Sequence, residues 1–270
     1  MRNAWIRTLI GVFWLGTIGA SAAPMGEIGL FSDRAGWMAQ AKAKEIADFI
    51  VANQKVSKTA KIYAENDIDD WAKKVTADGN LDILITFGDF PGTLYAPGNG
   101  QADGSVVEKF IEGGNMVLNT ADYIFYVNNG AGTNGDAALK NITNSTFDLW
   151  TDGNVNKPTK DGAKYTPSLK QFTAPRSFKS AQVDADPNWD TELVLADNGG
   201  ANMDPCIIKH VKTGGRVGIV IQVADDSQPR SAVFTELLNN WVKEIASAQA
   251  IEPKGKTSIS WAELKNDFAY

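Results

Sequence analysis

Leu81-Asp-Ile-Leu-Ile-Thr-Phe87, Gly88-Asp-Phe-Pro-Gly92, Ser105-Val-Val-Glu108 and Asn115-Met-Val-Leu-Asn119 are pieces of one stretch, Leu81–Tyr126, whose reading decides the fold. The first is a short apolar run that stops at the second, a cluster of turn-forming residues, so it reads as a strand and its crest loop. Ser105 with Glu108 three positions on is a capping box, and the helix it opens is expected to end at Gly113-Gly114. Asn115–Asn119 then starts another strand, expected to run on through Thr120-Ala-Asp-Tyr-Ile-Phe-Tyr126. A strand, a crossover helix and a second strand imply a parallel pair with a right-handed crossover.

Upstream, Glu27-Ile-Gly-Leu-Phe31 reads as the first strand, with Ser32-Asp33 as caps for a helix carrying Ala39, Ala43, Ile46 and Ile50 on one face. Lys61-Ile-Tyr-Ala64 is a second strand, and Asn66 is expected to cap a helix lined by Ile68, Trp71, Ala72 and Val75. The order βαβαβαβ is that of a doubly wound parallel sheet. From 127 to 189 the pattern breaks into turn chemistry with scattered aromatics. This is read either as an irregular inserted segment with short strands, packed over an edge or the crest of the sheet, or as a mobile insertion. Thr191–Leu195 resumes as strand. Asp204-Pro205 suggests a short helix through Lys212 closed by Gly214-Gly215, with strand-turn-strand as the alternative. Arg216–Val223 is a continuous apolar strand. Pro229 starts a last helix with Val233, Phe234, Leu237, Leu238, Trp241, Val242 and Ile245 as its stripe. The organisation is thus a single α/β domain over 23–246, with the insertion at about 127–189 and a polar tail over 247–270.

Residues 1–22 have the three parts of a signal peptide: basic Met1–Arg7, apolar Thr8–Gly19 and the small-x-small site Ala20-Ser-Ala22. The expected protein is secreted or periplasmic, with no membrane association after cleavage. Net charge is −6, and it becomes −8 once Arg2 and Arg7 are removed. Such a balance argues against nucleic acid or anionic membrane as a partner. Cys206 is the single cysteine, so no intrachain disulfide can form.

Asp82-Ile-Leu-Ile-Thr-Phe-Gly88, Phe110-Ile-Glu-Gly-Gly-Asn-Met-Val-Leu118, Gly214-Gly-Arg-Val-Gly218 and Leu237-Leu-Asn-Asn-Trp241 resemble the class I glutamine amidotransferase-like superfamily and, within it, the trehalose-utilisation-like branch. The resemblance covers roughly Glu27–Tyr126 and Thr191–Ile245. It implies a flavodoxin-like three-layer sandwich with a mostly parallel central sheet, and an association with sugars. The amidotransferase chemistry does not carry over. The turn after the Asn115–Asn119 strand, Asn119-Thr-Ala-Asp-Tyr123, has no thiol, and the family's later His-x-Glu pair is missing, since His210 is followed by Val211 and Lys212.

Other candidate chemistry reads as structural. Cys206 and His210 would share a helix face, but a nucleophile pair also needs an orienting group and oxyanion donors. One Cys and one His fall short of a zinc ligand set. Asp184, Asp186, Asn188 and Asp190 alternate as in a calcium loop, yet Trp189 stands where the turn needs glycine and Leu195 where a bidentate Glu should be. No metal or cofactor is assigned. Trp37, Trp150, Trp189 and Trp261 lie outside helix stripes and the leader and are the candidates for sugar stacking, with core packing as the default role for each.

The leading functional reading is non-catalytic or weakly catalytic binding of a polar small molecule, such as a carbohydrate, at the sheet crest. The alternatives are a carboxylate-based hydrolase or lyase acting on sugars and a structural or protein-interaction module. Oligomeric state is not legible. In an open parallel sheet ligands bind beyond the carboxyl ends of the strands where strand order reverses, here between the first and third strands. The bounding loops are Ser32–Trp37 and Gly88–Tyr95, with Asn119, Asp122 and Tyr123 from the neighbouring strand. Asp33, Asp89 and Asp122 would accept hydroxyl hydrogen bonds, and Trp37 and Tyr95 would offer flat apolar faces. The competing role for Asp33 is helix capping, and for Asp89 turn stabilisation.

Overall fold

The computed structural model describes residues 24–250. The leader and nearly all of the polar tail, Trp261 included, lie outside the described residues. No described helix is long and apolar enough to cross a membrane.

Seven strands form the central sheet: β1 (Met25–Phe31), β2 (Ala60–Ile62), β3 (Leu81–Phe87), β4 (Met116–Thr120), β5 (Trp189–Val194), β6 (Cys206–His210) and β7 (Arg216–Ile219). Their spatial order is β5-β6-β7-β4-β3-β1-β2. β2, β1, β3, β4 and β7 are mutually parallel, while β6 and β5 join antiparallel at one edge. The chain leaves β1 toward β2 and returns to its other side with β3, so strand order reverses between β1 and β3.

Both faces of the sheet are covered, which is why β3 is buried along its whole length. On one face Ile83, Ile85 and Phe87 pack with Ile28 and Leu30 against helix α1 (Gln40–Asn53) and the Arg230–Leu237 helix. On the other, Leu84 and Val117 meet helix α2 (Glu65–Val75) and helix α3 (Val106–Glu112) through Ile68, Trp71 and Phe110. Gly29 lets the Trp71 ring lie on β1, since a Cβ there would sit 2.5 Å from a ring carbon.

The capping box of α3 forms as read: Ser105 Oγ accepts from the Glu108 N–H at 3.3 Å, and Glu108 Oε2 accepts from the N–H groups of Ser105 and Gly104. Five expectations need correction. Ser32-Asp33 do not cap α1, which starts at Gln40 behind Ala39 with no side-chain cap. Asn66 does not cap α2 either. Asp33 reaches across from the β1 crest and accepts from the Glu65 N–H at 3.2 Å. β4 ends at Thr120, because Ala121 turns the chain at φ 87°, and β7 ends at Ile219, just before Ile221 at φ 62°. Finally, 206–212 is not a helix. Cys206–His210 pairs antiparallel with both β7 and β5, the strand-turn-strand alternative.

The segment after residue 127 carries a helix, Ala137–Thr143, and contributes to a five-stranded antiparallel sheet. Its strands lie in the order Phe172–Ala174, Asn154–Pro158, Ala196–Asp197, Asn202–Met203 and Phe178–Lys179. Phe147 packs edge-on against both Phe178 and Trp189. Tyr165, Leu169 and Phe172 join the core beneath the last helix. The scattered aromatics are therefore what anchors this excursion to the central domain.

Candidate functional site

The carboxyl ends of β3, β4 and β7 are sealed by a buried polar network. Asn119 Oδ1 accepts from Thr86 Oγ1 at 2.8 Å and from the Gly88 N–H at 3.1 Å. Asn119 Nδ2 donates to the Asp122 carbonyl at 2.9 Å, and Gln222 Nε2 donates to the Asn119 carbonyl at 3.1 Å. Asp204, buried, accepts from the N–H groups of Ile221 and Gln222 at 2.9 and 2.7 Å. Burial pushes its carboxyl up to about 7, against the pull of those two N–H groups and of Arg230. Arg230, also buried, donates from Nε to Thr120 Oγ1 at 3.2 Å. Asn119 is thus a structural linchpin of the crest.

The loops after β1 and β3 lie backbone against backbone. The Gly36 N–H donates to the Phe87 carbonyl at 3.0 Å, and a Cβ on Gly88 (φ 78°) would sit 2.2 Å from the Gly36 carbonyl oxygen. Only glycine fits that approach. Asp89 is fully buried in this seam, where its carboxylate accepts from the Gly130 N–H at 2.6 Å and from Arg34 Nε at 3.2 Å. Burial raises its pKa, opposed by Gly130 and Arg34. Tyr95 is buried too, its hydroxyl donating to Asn99 Oδ1 and accepting from Asn141 Nδ2, each at 3.0 Å. Asp33 serves α2. The structure therefore does not bring Asp33, Asp89, Tyr95 and Asn119 to a common opening.

It does bring together Trp37, Asp122 and Tyr123. With Tyr126, Trp150 and Arg176 they line a pocket of about 80 Å³ beyond β1 and β4. Trp37 and Trp150 are 54% and 43% exposed, an unusual state for tryptophan. Trp37 also holds a left-handed backbone, φ 65°, a strained state for a bulky residue and one that clusters at ligand sites. Tyr123, Tyr126 and Trp150 pack as a triad, with ring centroids 5.4–6.0 Å apart. The Arg176 guanidinium lies 4.0 Å from the centroid of the Trp150 ring.

Local hydrogen bonds fix Trp150 in place. The Leu149 N–H donates to the Tyr123 hydroxyl at 3.1 Å, and the Trp150 N–H to Asp148 Oδ1 at 2.9 Å. The Thr151 N–H donates to the Pro175 carbonyl at 3.1 Å and the Ser177 N–H to Thr151 Oγ1 at 2.8 Å, which sets Arg176 beside the tryptophan. Asp122 is half-buried. Desolvation raises its pKa, and the Tyr123 N–H and Arg176 oppose the rise. Sequence reasoning did not assign Tyr126 or Arg176 to the site. It named Trp150 only as one of four tryptophans free for sugar stacking, with core packing as the default, and the turn signal Asp152-Gly153 beside it was the clue available.

The other candidates stay apart. On a strand Cys206 and His210 are about 13 Å apart along the chain. The Cys206 thiol is buried, donates to the Met203 carbonyl at 3.4 Å and is pushed up in pKa by that burial. His210 pairs through Nδ1 with Thr213 Oγ1 at 3.0 Å, and burial lowers its pKa. Asp186 accepts from the Asn188 N–H at 2.8 Å in a local turn, while Asp190 lies on β5. Trp189 is buried and donates to the Thr143 carbonyl at 2.9 Å.

No family model matches the chain, and no curated protein matches it. Among solved structures, a ThuA-like protein from Bacteroides uniformis aligns at 12% identity and TM-score 0.43, over 84% of this chain and 93% of its own. The exo-beta-1,4-mannosidase Op5Man5 from an Opitutaceae bacterium aligns at 11% identity and TM-score 0.36, and although 84% of this chain is covered, only 35% of the mannosidase is.

Proposed function

We propose that this protein is an exported carbohydrate-binding protein of flavodoxin-like, trehalose-utilisation-like architecture, and that the Trp37–Trp150 pocket holds the sugar. One observation carries the reading: two exposed tryptophans flank a half-buried carboxylate and a guanidinium at the carboxyl ends of parallel strands. Sugars present C–H faces that pack on aromatic rings and edge hydroxyls that pair with charged oxygens and nitrogens. The volume suits part of a single ring.

Binding is favoured over catalysis by the pocket's inventory. Acid–base hydrolysis of a glycoside needs two carboxyl groups flanking the bond, whereas Asp122 is the one carboxylate among the lining residues, and its Oδ1 already accepts from the Tyr123 N–H at 2.6 Å. The left-handed turn after β4, where the resembled amidotransferases place cysteine, carries the methyl group of Ala121.

The test is calorimetric titration of the chain lacking residues 1–22 with a panel of mono- and disaccharides, repeated with Trp37→Ala and Trp150→Ala. Losing a stacking face is expected to weaken each hit about tenfold; the melting temperature should be nearly unchanged for Trp37→Ala, whose ring is 54% exposed, and lowered modestly for Trp150→Ala, which also loses its contacts with Tyr123, Tyr126 and Arg176. A panel with no hit, or hits that both variants bind as tightly as the parent, would refute the reading.

A further inference from the structure

Arg176 is the cationic side chain of the pocket, and its donors are largely committed to the protein. Nη1 donates to the Asp152 carboxylate and to the Pro175 carbonyl, the latter at 2.7 Å. Nε is buried and lies 3.4 Å from Asp122 Oδ1 without making a hydrogen bond. The face of the guanidinium is taken up by Trp150. Among the described residues Nη2, like Nε, makes no hydrogen bond to the protein, but unlike Nε it is not buried. Arginine recognises a carboxylate or phosphate by offering two parallel N–H groups, and each such pair here includes either Nη1, held by Asp152 and Pro175, or Nε, buried beside Asp122, so Nη2 is left to make single contacts. It suits a hydroxyl.

The charge balance points the same way. Asp122 and Asp152 together outweigh Arg176 by one negative charge. The neighbouring Asp148 is matched by Lys179 at 2.8 Å, so it adds nothing net. A ligand carboxylate entering here would meet an uncompensated negative field.

We propose that the pocket selects neutral sugar units against acidic ones, and that Asp152, from outside the pocket, sets this preference by holding Arg176. The proposal rests on the sugar-binding reading. Asp152 is a positioning residue: it touches Arg176 and not the ligand, and its side chain is 75% exposed, so its substitution leaves the core intact.

The experiment compares matched pairs by calorimetry at pH 7.5 and low salt: the methyl glycosides of glucose, mannose and galactose against those of the corresponding uronic acids. The parent is expected to bind the neutral member about tenfold more tightly, and Asp152→Asn to narrow that ratio by about threefold, an effect that shrinks in high salt. The ratio is the readout, because a merely structural role for Asp152 would move both members together. If the parent binds uronates as well as neutral sugars, or Asp152→Asn leaves the ratio unchanged, the proposal fails while sugar binding stands. If neither member binds, the sugar-binding reading fails with it.

Discussion

The crest loop after β3 and the turn after β4 start from the same materials and end in opposite states. Each brings an aspartate and a tyrosine to the carboxyl end of a parallel strand: Asp89 and Tyr95 on one, Asp122 and Tyr123 on the other. The β3 loop is pressed against the β1 loop at Gly36 and Gly88, and its polar groups are consumed in the seam. The β4 turn faces the excursion that carries Trp150 and Arg176, and stays open enough to leave a pocket. Residue type and strand end do not make a site. What decides is whether the neighbouring segment closes over the side chain or stops beside it.

The sharpest break in this comparison is Asp89→Ala. It leaves the Gly130 N–H unpaired and strips Arg34 of a partner, so a loss of about 2–4 kcal/mol of stability is expected in urea unfolding, with sugar affinity retained. A variant that kept its stability and lost affinity would move the site back to the β3 loop. Next is Tyr123→Phe, which removes the acceptor for the Leu149 N–H. It is expected to cost about 1–2 kcal/mol and also to weaken sugar binding, because Trp150 loses an anchor. Unfolding and titration on the same variant check both halves.

Asp82 tests the opposite end of the sheet. Burial holds its carboxyl up at about 6, with Asp78 and Glu27 adding to the rise and the Glu27 N–H opposing it. Its Oδ2 is buried without a partner. The folded state keeps this proton to higher pH than the unfolded chain, whose carboxyl titrates near 4. Stability from this group therefore falls as pH rises from about 4 through about 6 and stays lost above that. Asp82→Asn is expected to stabilise the protein by about 1 kcal/mol at pH 8 and by nothing at pH 4, measured by denaturant midpoints at both. The smallest effect is assigned to Asp33→Ala: loss of the cap on α2 is expected to cost about 0.5–1 kcal/mol and to leave binding unchanged.

Local chemistry was readable where it is local. Ser105 and Glu108 announce α3 because both partners of the capping box lie within one turn of chain. The βαβ order was readable because β3 is long, apolar and punctuated by Gly88-Asp-Phe-Pro-Gly92. Two stretches misled for definable reasons. Asp204-Pro205 and Gly214-Gly215 bracket a hairpin as naturally as a helix, and only pairing with β5 and β7 settles Cys206–His210 as strand. Tyr123-Ile-Phe-Tyr126 has strong strand propensity, yet the chain has already turned at Ala121, a backbone state that alanine does not advertise. Among the residues that line the pocket, Trp37, Asp122 and Tyr123 were also named by the strand-end rule. Arg176 was not, because the contact that matters is with Trp150, and the backbone zipper between 151 and 175–177 that creates it leaves no periodic trace.

The two tryptophans that wall the pocket stand at positions 37 and 150, more than a hundred residues apart. Bringing such distant positions together costs loop-closure entropy that is repaid only after both have somewhere to dock. Trp37 depends on the meeting of the β1 and β3 loops, and Trp150 on Tyr123 and on the pairing of 151 with 175–177. The pocket accordingly depends on two dockings far apart in the chain. The pairings among β1, β2, β3 and β4 span shorter stretches of chain than the one between the two tryptophans, so that half of the sheet can be in place while the walls of the pocket are still apart.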